Sequence, residues 1–274
     1  MSVWAQLQIQ TVKAFYTAVT GSGMLRIRSG RRAYSALYFC YKRYLEDPFY
    51  KLAQCHPELF RGGHIVDVGA NIGYTAAVFA NAITPGFKVF AFEPEDLNFR
   101  MLGELVAQRG IADIVVPVQA AVGAEEGSAM LKVNPRHPGD HSVITEKSRE
   151  PDAPKRKVVL VKVDNFLRDR GASTPVALIK IDVQGYEMAV CQGMVATLEA
   201  NPAAVVCLEY SPDSMRTLGF EPTALLDWFR QRGYSLRALD AHGKPGREIP
   251  AALGRDAYLN LCFAKESARG GSFL

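Results

Sequence analysis

His64-Ile65-Val66-Asp67-Val68-Gly69-Ala70-Asn71-Ile72-Gly73 decides the fold. Residues 64 to 68 are apolar enough for a central strand, and the small residues that follow turn the chain into a helix beginning Tyr74-Thr75-Ala76-Ala77. A strand, a glycine turn and a helix in that order open a doubly wound α/β sheet, which binds its ligands beyond the carboxyl ends of the strands. Small residues at the turn let the backbone approach a ligand closely. A dinucleotide fingerprint would read GxGxxG and place a pyrophosphate on the helix N-terminus. Here Asn71 stands between Gly69 and Gly73, and Asp67 precedes the turn. A carboxylate there opposes a pyrophosphate and favours a cationic ligand.

Working outward, short apolar runs alternate with amphipathic stretches, the pattern of a parallel sheet covered on both faces. Strands are expected at 64–68, 87–92, 114–119, 176–183, 203–209, 233–239 and 257–263, with helices near 73–82, 95–109, 186–198 and 221–232. The expected fold is α/β, a doubly wound and mostly parallel seven-stranded sheet. Between 127 and 162 the rhythm fails. Two strand-like runs, 129–133 and 157–163, flank a Pro-rich polar stretch and predict a β-hairpin-like insertion with a long tip. The domain limits that follow are a helical extension over 1–62, a main domain over 63–267 and a tail over 268–274.

Acids close several of these strands. Glu93 follows the second, where a carboxylate commonly takes ribose hydroxyls. Lys180 and Asp182 alternate onto one face of the apolar run 176–183 and are expensive there unless paired or used. An ion pair of Lys180 with Asp67 or Asp182 is the structural alternative to a role in chemistry. Glu209 ends the fifth strand. Four acids at successive strand ends, Asp67, Glu93, Asp182 and Glu209, are hard to assign to stability alone. S-adenosyl-L-methionine, which carries an ammonium and a sulfonium and no phosphate, suits such a rim. Its expected binding residues are Asp67, Gly69, Ala70, Asn71, Gly73 and Tyr74 at the loop, Glu93, Pro94 and Asn98 after the second strand, Ala120 and Ala121 under the adenine, and Asp182. For a hydroxyl acceptor the first candidate base is Asp182, beside Lys180, with Glu209 and His141 of the insertion as alternatives. No compact motif for a metal is present; an oxygen-ligated divalent ion on Asp182 and Glu209 is the form one would take.

Taken together, DVGANIGYTA, FAFEPEDLNF, LIKIDVQGYE and CLEYSP resemble the FkbM family of S-adenosylmethionine-dependent methyltransferases, over about residues 63 to 220. The resemblance implies the class I, Rossmann-like fold and O-methylation of small molecules such as natural products and sugars. It implies that Asp67, Gly69, Asn71 and Gly73 line the methionine part, Glu93 the ribose, and Lys180, Asp182, Gly185 and Glu187 the transferred methyl. The family most often has Glu where this chain has Gln184. Residues 1 to 60 lie outside the resemblance.

Composition bounds the partners. Of the formal charge of +4, residues 1 to 61 hold nine Lys or Arg against three acids, so the remainder is slightly acidic. That balance argues against nucleic acid as a partner and locates any affinity for a membrane surface or a second copy in residues 1–60. The extension reads as helical pieces broken at Gly21 to Gly23, Ser29-Gly30 and Asp47-Pro48, with Trp4, Leu7, Phe15, Val19 and the run Tyr34 to Tyr41 on apolar faces; packing on the catalytic domain or a twin subunit is the simpler expectation. Five widely spaced cysteines without a CxxC pair, and no cleavable leader pattern, point to the cytoplasm. No membrane-spanning run is expected. Competing readings are an RNA or protein methyltransferase, which lacks support in an Asn/Asp-Pro-Pro-aromatic motif, an NAD-dependent oxidoreductase, which lacks GxGxxG, and a non-catalytic scaffold.

Overall fold

The computed structural model describes residues 23–134, 141–146, 148, 154–240, 243, 244, 246, 253 and 257–265. The expected apolar faces at Trp4 to Val19, the break at 21–22, much of the insertion tip and the tail lie outside them. The main sheet has seven strands in the order β10-β11-β9-β8-β1-β2-β3. Its members are β1 (His64–Val68), β2 (Val89–Phe92), β3 (Val115–Val118), β8 (Val176–Ile181), β9 (Val205–Tyr210), β10 (Tyr234–Ala238) and β11 (Leu259–Lys265). All pair in parallel except β11, which runs antiparallel to both β9 and β10. The order reverses between β1 and β8, which places the ligand crevice at the end of β1.

Alternation along the central strands divides the core into two layers. Val66, Val68, Ile179, Ile181, Val206 and Leu208 face one cluster. Ile65, Leu178, Val205 and Cys207 face the other, which also receives the helices α2 (Phe49–Cys55) and α3 (Tyr74–Ala82). By the same parity Asp67, Lys180 and Glu209 belong to the second face. Helix α4 (Asp96–Arg109) buries Asn98, Met101, Leu102, Leu105 and Val106 at helical spacing. Its start is fixed by the Glu95 carboxylate, which accepts from Leu97 and Asn98 N–H, and its end by Gly110 in the left-handed region.

Several elements depart from the sequence expectation. Helix α1 (Arg28–Tyr41) runs through Ser29-Gly30; Gly30 is there because a Cβ would lie 2.0 Å from the Met24 carbonyl, so it marks close packing and not a break. The single helix expected over 186–198 is two, α6 (Glu187–Gln192) and α7 (Val195–Ala200), divided where Gly193 packs against Gly123 O, 2.0 Å from an added Cβ. Strand β8 stops at Ile181, leaving Asp182 just past its end. The insertion is more than a hairpin. Strands β5 (Gly127–Lys132) and β7 (Lys155–Val161) form the expected antiparallel pair, but β4 (Ala121–Val122) and β6 (Ser142–Ile144) extend it to a four-stranded sheet, order β4-β7-β5-β6. Val163 opens a short helix, α5 (Val163–Arg168), instead of ending a strand, and α8 (Pro212–Thr217) precedes α9 (Pro222–Arg230).

The described part of the extension packs on the catalytic domain. Arg31 makes a two-pronged ion pair with Glu104 of α4, and Leu25, Tyr34, Ile72 and Met101 share one apolar cluster. Cys207 and Cys262, directly opposed on β9 and β11, are joined as a disulfide, a pairing the spacing of the cysteines did not suggest. Among the described residues no helix is long and apolar enough to cross a membrane.

Candidate active site

The loop after β1 is tied to both neighbouring strands. Gly69 and Ala70 N–H donate to Phe92 O of β2, and Asp182 N–H donates to Val68 O. Gly69 has φ +77, and a Cβ on it would lie 1.8 Å from Asp182 O, so only glycine lets the loop close on the end of β8. Asn71 is left-handed at φ 49, with its side chain accepting from Ile72 N–H. Gly73, at φ 91, precedes α3 and packs under Leu102 and Leu105. Ala70 turns its methyl into the core.

Asp67 is not on the rim as expected. It is fully buried beneath the loop, where its carboxylate accepts from the Thr75 hydroxyl at 2.7 Å and lies 3.3 Å from Lys180 Nζ. The two residues are register partners on β1 and β8. Lys180 also donates to Gly69 O at 2.8 Å and stands 3.7 Å from Asp182. Burial opposes the lysine's charge, but the Asp67 and Asp182 carboxylates outweigh it and hold its pKa above the ordinary value. The ion pairs anticipated as the structural alternative are thus both present, and Lys180 supports the loop from below.

At the end of β2 the Glu93 carboxylate accepts from Asn71 N–H and Glu95 N–H, each at 2.9 Å, with Asn98 as a further partner. Burial is the main reason its pKa is pushed up to about 7, against the pull of these donors. Pro94, half-buried, follows, and then Glu95, a buried cap that sequence reasoning passed over although its Glu-x-x-Asn spacing signals a helix start.

The acceptor side is built from β8 and β9. The Asp182 side chain is 31% exposed. Gln184, left-handed at φ 53, donates its amide to Asp182 Oδ1 and to Glu209 Oε1, both at 3.0 Å. Gln184 was passed over as a site residue; its departure from the family pattern was the signal. Glu187 turns inward, its Oε1 accepting from Gly185 N–H and its buried Oε2 taking no hydrogen bond among the described residues, and burial raises its pKa to about 7. Gly185 itself packs against the Ser214 backbone.

The remaining expected residues separate from this group. His141 accepts through Nδ1 from Asn134 N–H and braces the insertion. Ala121 packs with Leu131 and Val143 in the insertion's core, and Ala120 is buried at the turn before it. Tyr74, at the start of α3, is 7% exposed, and its buried hydroxyl has no hydrogen bond among the described residues. Among the described residues, no group of three or more His, Cys, Asp or Glu is arranged to hold a metal ion.

Residues 67–236 match the model of the methyltransferase FkbM domain. The methyltransferase sdnD of Sordaria araneosa is 27% identical over 208 residues, 65% of this chain and 78% of that protein. The hexuronic acid methyltransferase AglP of Haloferax volcanii is 27% identical over 49% of this chain and 51% of its own length. Among solved structures, a methyltransferase FkbM from Methylobacillus flagellatus aligns with a TM-score of 0.49 and 16% identity, over 82% of this chain and 50% of that one. The chain therefore spans about half the length of the latter two.

Proposed function

Because the chain belongs to the FkbM methyltransferase family, we propose that it transfers the methyl group of S-adenosyl-L-methionine to a hydroxyl oxygen of a small molecule, a sugar, lipid-linked intermediate or natural product. The observation that carries this reading is the division of labour on the rim. Glu93 is a buried carboxylate fixed by backbone donors beside the glycine loop, and Asp182 is a partly exposed one at the end of β8. The first has the form of a ribose diol acceptor. The second stands where a hydroxyl nucleophile would need a base.

The acidic surroundings suit a ligand bearing an ammonium and a sulfonium, and bound S-adenosylmethionine supplies a methyl group on positively charged sulfur. The protein's task in such a displacement is largely to hold the reacting groups in line. Glu93 and the loop fix the donor end. Asp182, kept in place by Gln184 and Lys180, accepts the proton of the acceptor hydroxyl. A sugar acceptor has support in the name of the hexuronic acid methyltransferase relative.

Incubation with methyl-labelled S-adenosylmethionine and a metabolite extract, followed by identification of the labelled product, tests the reading. An O-methylated small molecule is expected. Glu93→Ala should weaken binding of S-adenosylmethionine tenfold or more, roughly the loss of one charge-assisted hydrogen bond. Asp182→Asn should keep that binding and lower turnover about 100-fold. Equal loss of binding in both variants would show the roles wrongly divided, and tight NAD binding without S-adenosylmethionine binding would overturn the donor.

A further inference from the structure

Resting on that donor, we propose that Asp47 of the N-terminal extension closes the methionine end of the site and takes the donor's ammonium group, with the Tyr74 hydroxyl donating to its carboxylate. The acid expected for the ammonium is fully buried in this structure. Asp67 is sealed under the loop and engaged by Thr75 and Lys180. Asp182 and Glu209 share the Gln184 amide on the acceptor side.

Asp47 stands at the end of the turn Lys42–Glu46, whose last hydrogen bond runs from Asp47 N–H to Lys42 O. Its Oδ2 accepts from Phe49 and Tyr50 N–H, at 3.1 and 3.3 Å, and so starts α2. Among the described residues its Oδ1 takes no hydrogen bond. The residue is partly exposed. Burial pushes its pKa up to about 7 against the pull of Lys42 and Lys180, so its charge is felt at the end of β8. The Tyr74 hydroxyl's pKa is raised by burial and then by the Asp47 charge, and its ring rests 5.3 Å from that of Phe39 in α1.

The extension is held to the main domain at two places. It is anchored on one side by Arg31 on Glu104 and on the other by Pro48 and Leu52, whose backbones pack against Gly243 after β10. A carboxylate with an open oxygen, an unpartnered buried hydroxyl and the nearby Lys42 are the groups a zwitterionic amino-acid end requires. An ammonium against Asp47 would compensate the desolvation that now opposes its charge.

Calorimetric titration of the full chain with three probes separates this role from a structural one. S-adenosylhomocysteine carries the whole amino-acid end, its deaminated analogue lacks the ammonium, and 5′-methylthioadenosine lacks the entire end. Asp47→Asn keeps a cap acceptor for α2. It should weaken S-adenosylhomocysteine about tenfold and leave the other two unchanged. Tyr74→Phe should weaken S-adenosylhomocysteine and the deaminated analogue about threefold each and spare 5′-methylthioadenosine. Unchanged S-adenosylhomocysteine binding in Asp47→Asn, or equal weakening of all three probes, overturns the assignment while leaving the donor intact. Failure of the unmodified protein to bind any of the three overturns the donor reading and this inference with it.

Discussion

Asp67 and Asp182 flank the same lysine, yet one side chain is fully buried and the other is 31% exposed. The difference runs through the whole rim. Around β1 and β2, Asp67 and Lys180 neutralise each other, Glu93 is pinned by two backbone donors, and Gly69 admits no side chain. Around β8 and β9, Asp182 and Glu209 are partly exposed and bridged by the Gln184 amide. Under the proposed function, the first half holds the methyl donor and the second faces the acceptor. Lys180→Met breaks the comparison hardest, because it leaves Asp67 charged and unpaired in the core. The expected cost is about 3–5 kcal/mol of stability in urea unfolding. Adding Asp67→Leu should recover most of it. A small loss in the single variant would mean that the buried half is not held by this ion pair.

On the open half the sharper test is Gln184→Glu, which removes the bridging donor and sets a third carboxylate beside two others. Repulsion raises the pKa values of the three in the folded protein, so its stabilising protonation is lost as pH rises. The variant should be destabilised by about 2 kcal/mol at pH 7.5 relative to the unmodified chain, with much of the deficit gone at pH 5. Thermal melting at the two pH values checks it. A deficit independent of pH would point to the two lost hydrogen bonds of the Gln184 amide instead of charge.

What was legible in the sequence follows the same division. The seven main strands came through because each is a short apolar run bounded by polar turns, and Asp67 and Lys180 were visible as charges inside such runs. Periodicity cannot say whether a buried charge serves a ligand or a neighbour. The pairing of Asp67 with Lys180 depends on the register of β1 and β8, a long-range property. The breaks read at Ser29-Gly30, and missed at Gly193, have a similar cause. Gly30 and Gly193 admit a carbonyl from elsewhere in the chain, which local sequence does not encode. Strands β4 and β6 are two and three residues long, too short to carry a pattern. Asp47 looked like a turn residue before proline, and only folding brings it near Lys180.

The smallest expected effect concerns the pinned half in its ligand-free state. Burial lifts Glu93 to about 7, so near neutrality the carboxyl is protonated in roughly half of the molecules. Only the ionised form offers every remaining lone pair to a ribose diol, and protonation competes with the ligand as pH falls through that value. Affinity for S-adenosylhomocysteine should therefore rise about tenfold from pH 6 to pH 8, the change in the ionised fraction of a group titrating near 7. The free protein should respond in the opposite sense. A carboxyl with its folded pKa above its unfolded one stabilises below its ordinary range, and that contribution is lost as pH rises through about 7. In Glu93→Gln the affinity should be lower and its rise with pH reduced to the part that Asp47 supplies, and the corresponding part of the stability loss should vanish. A rise undiminished in the variant would assign the titration to Asp47, the partly exposed acid near 7 in the extension, and a flat profile in the unmodified protein would show that the backbone donors on Glu93 outweigh its burial.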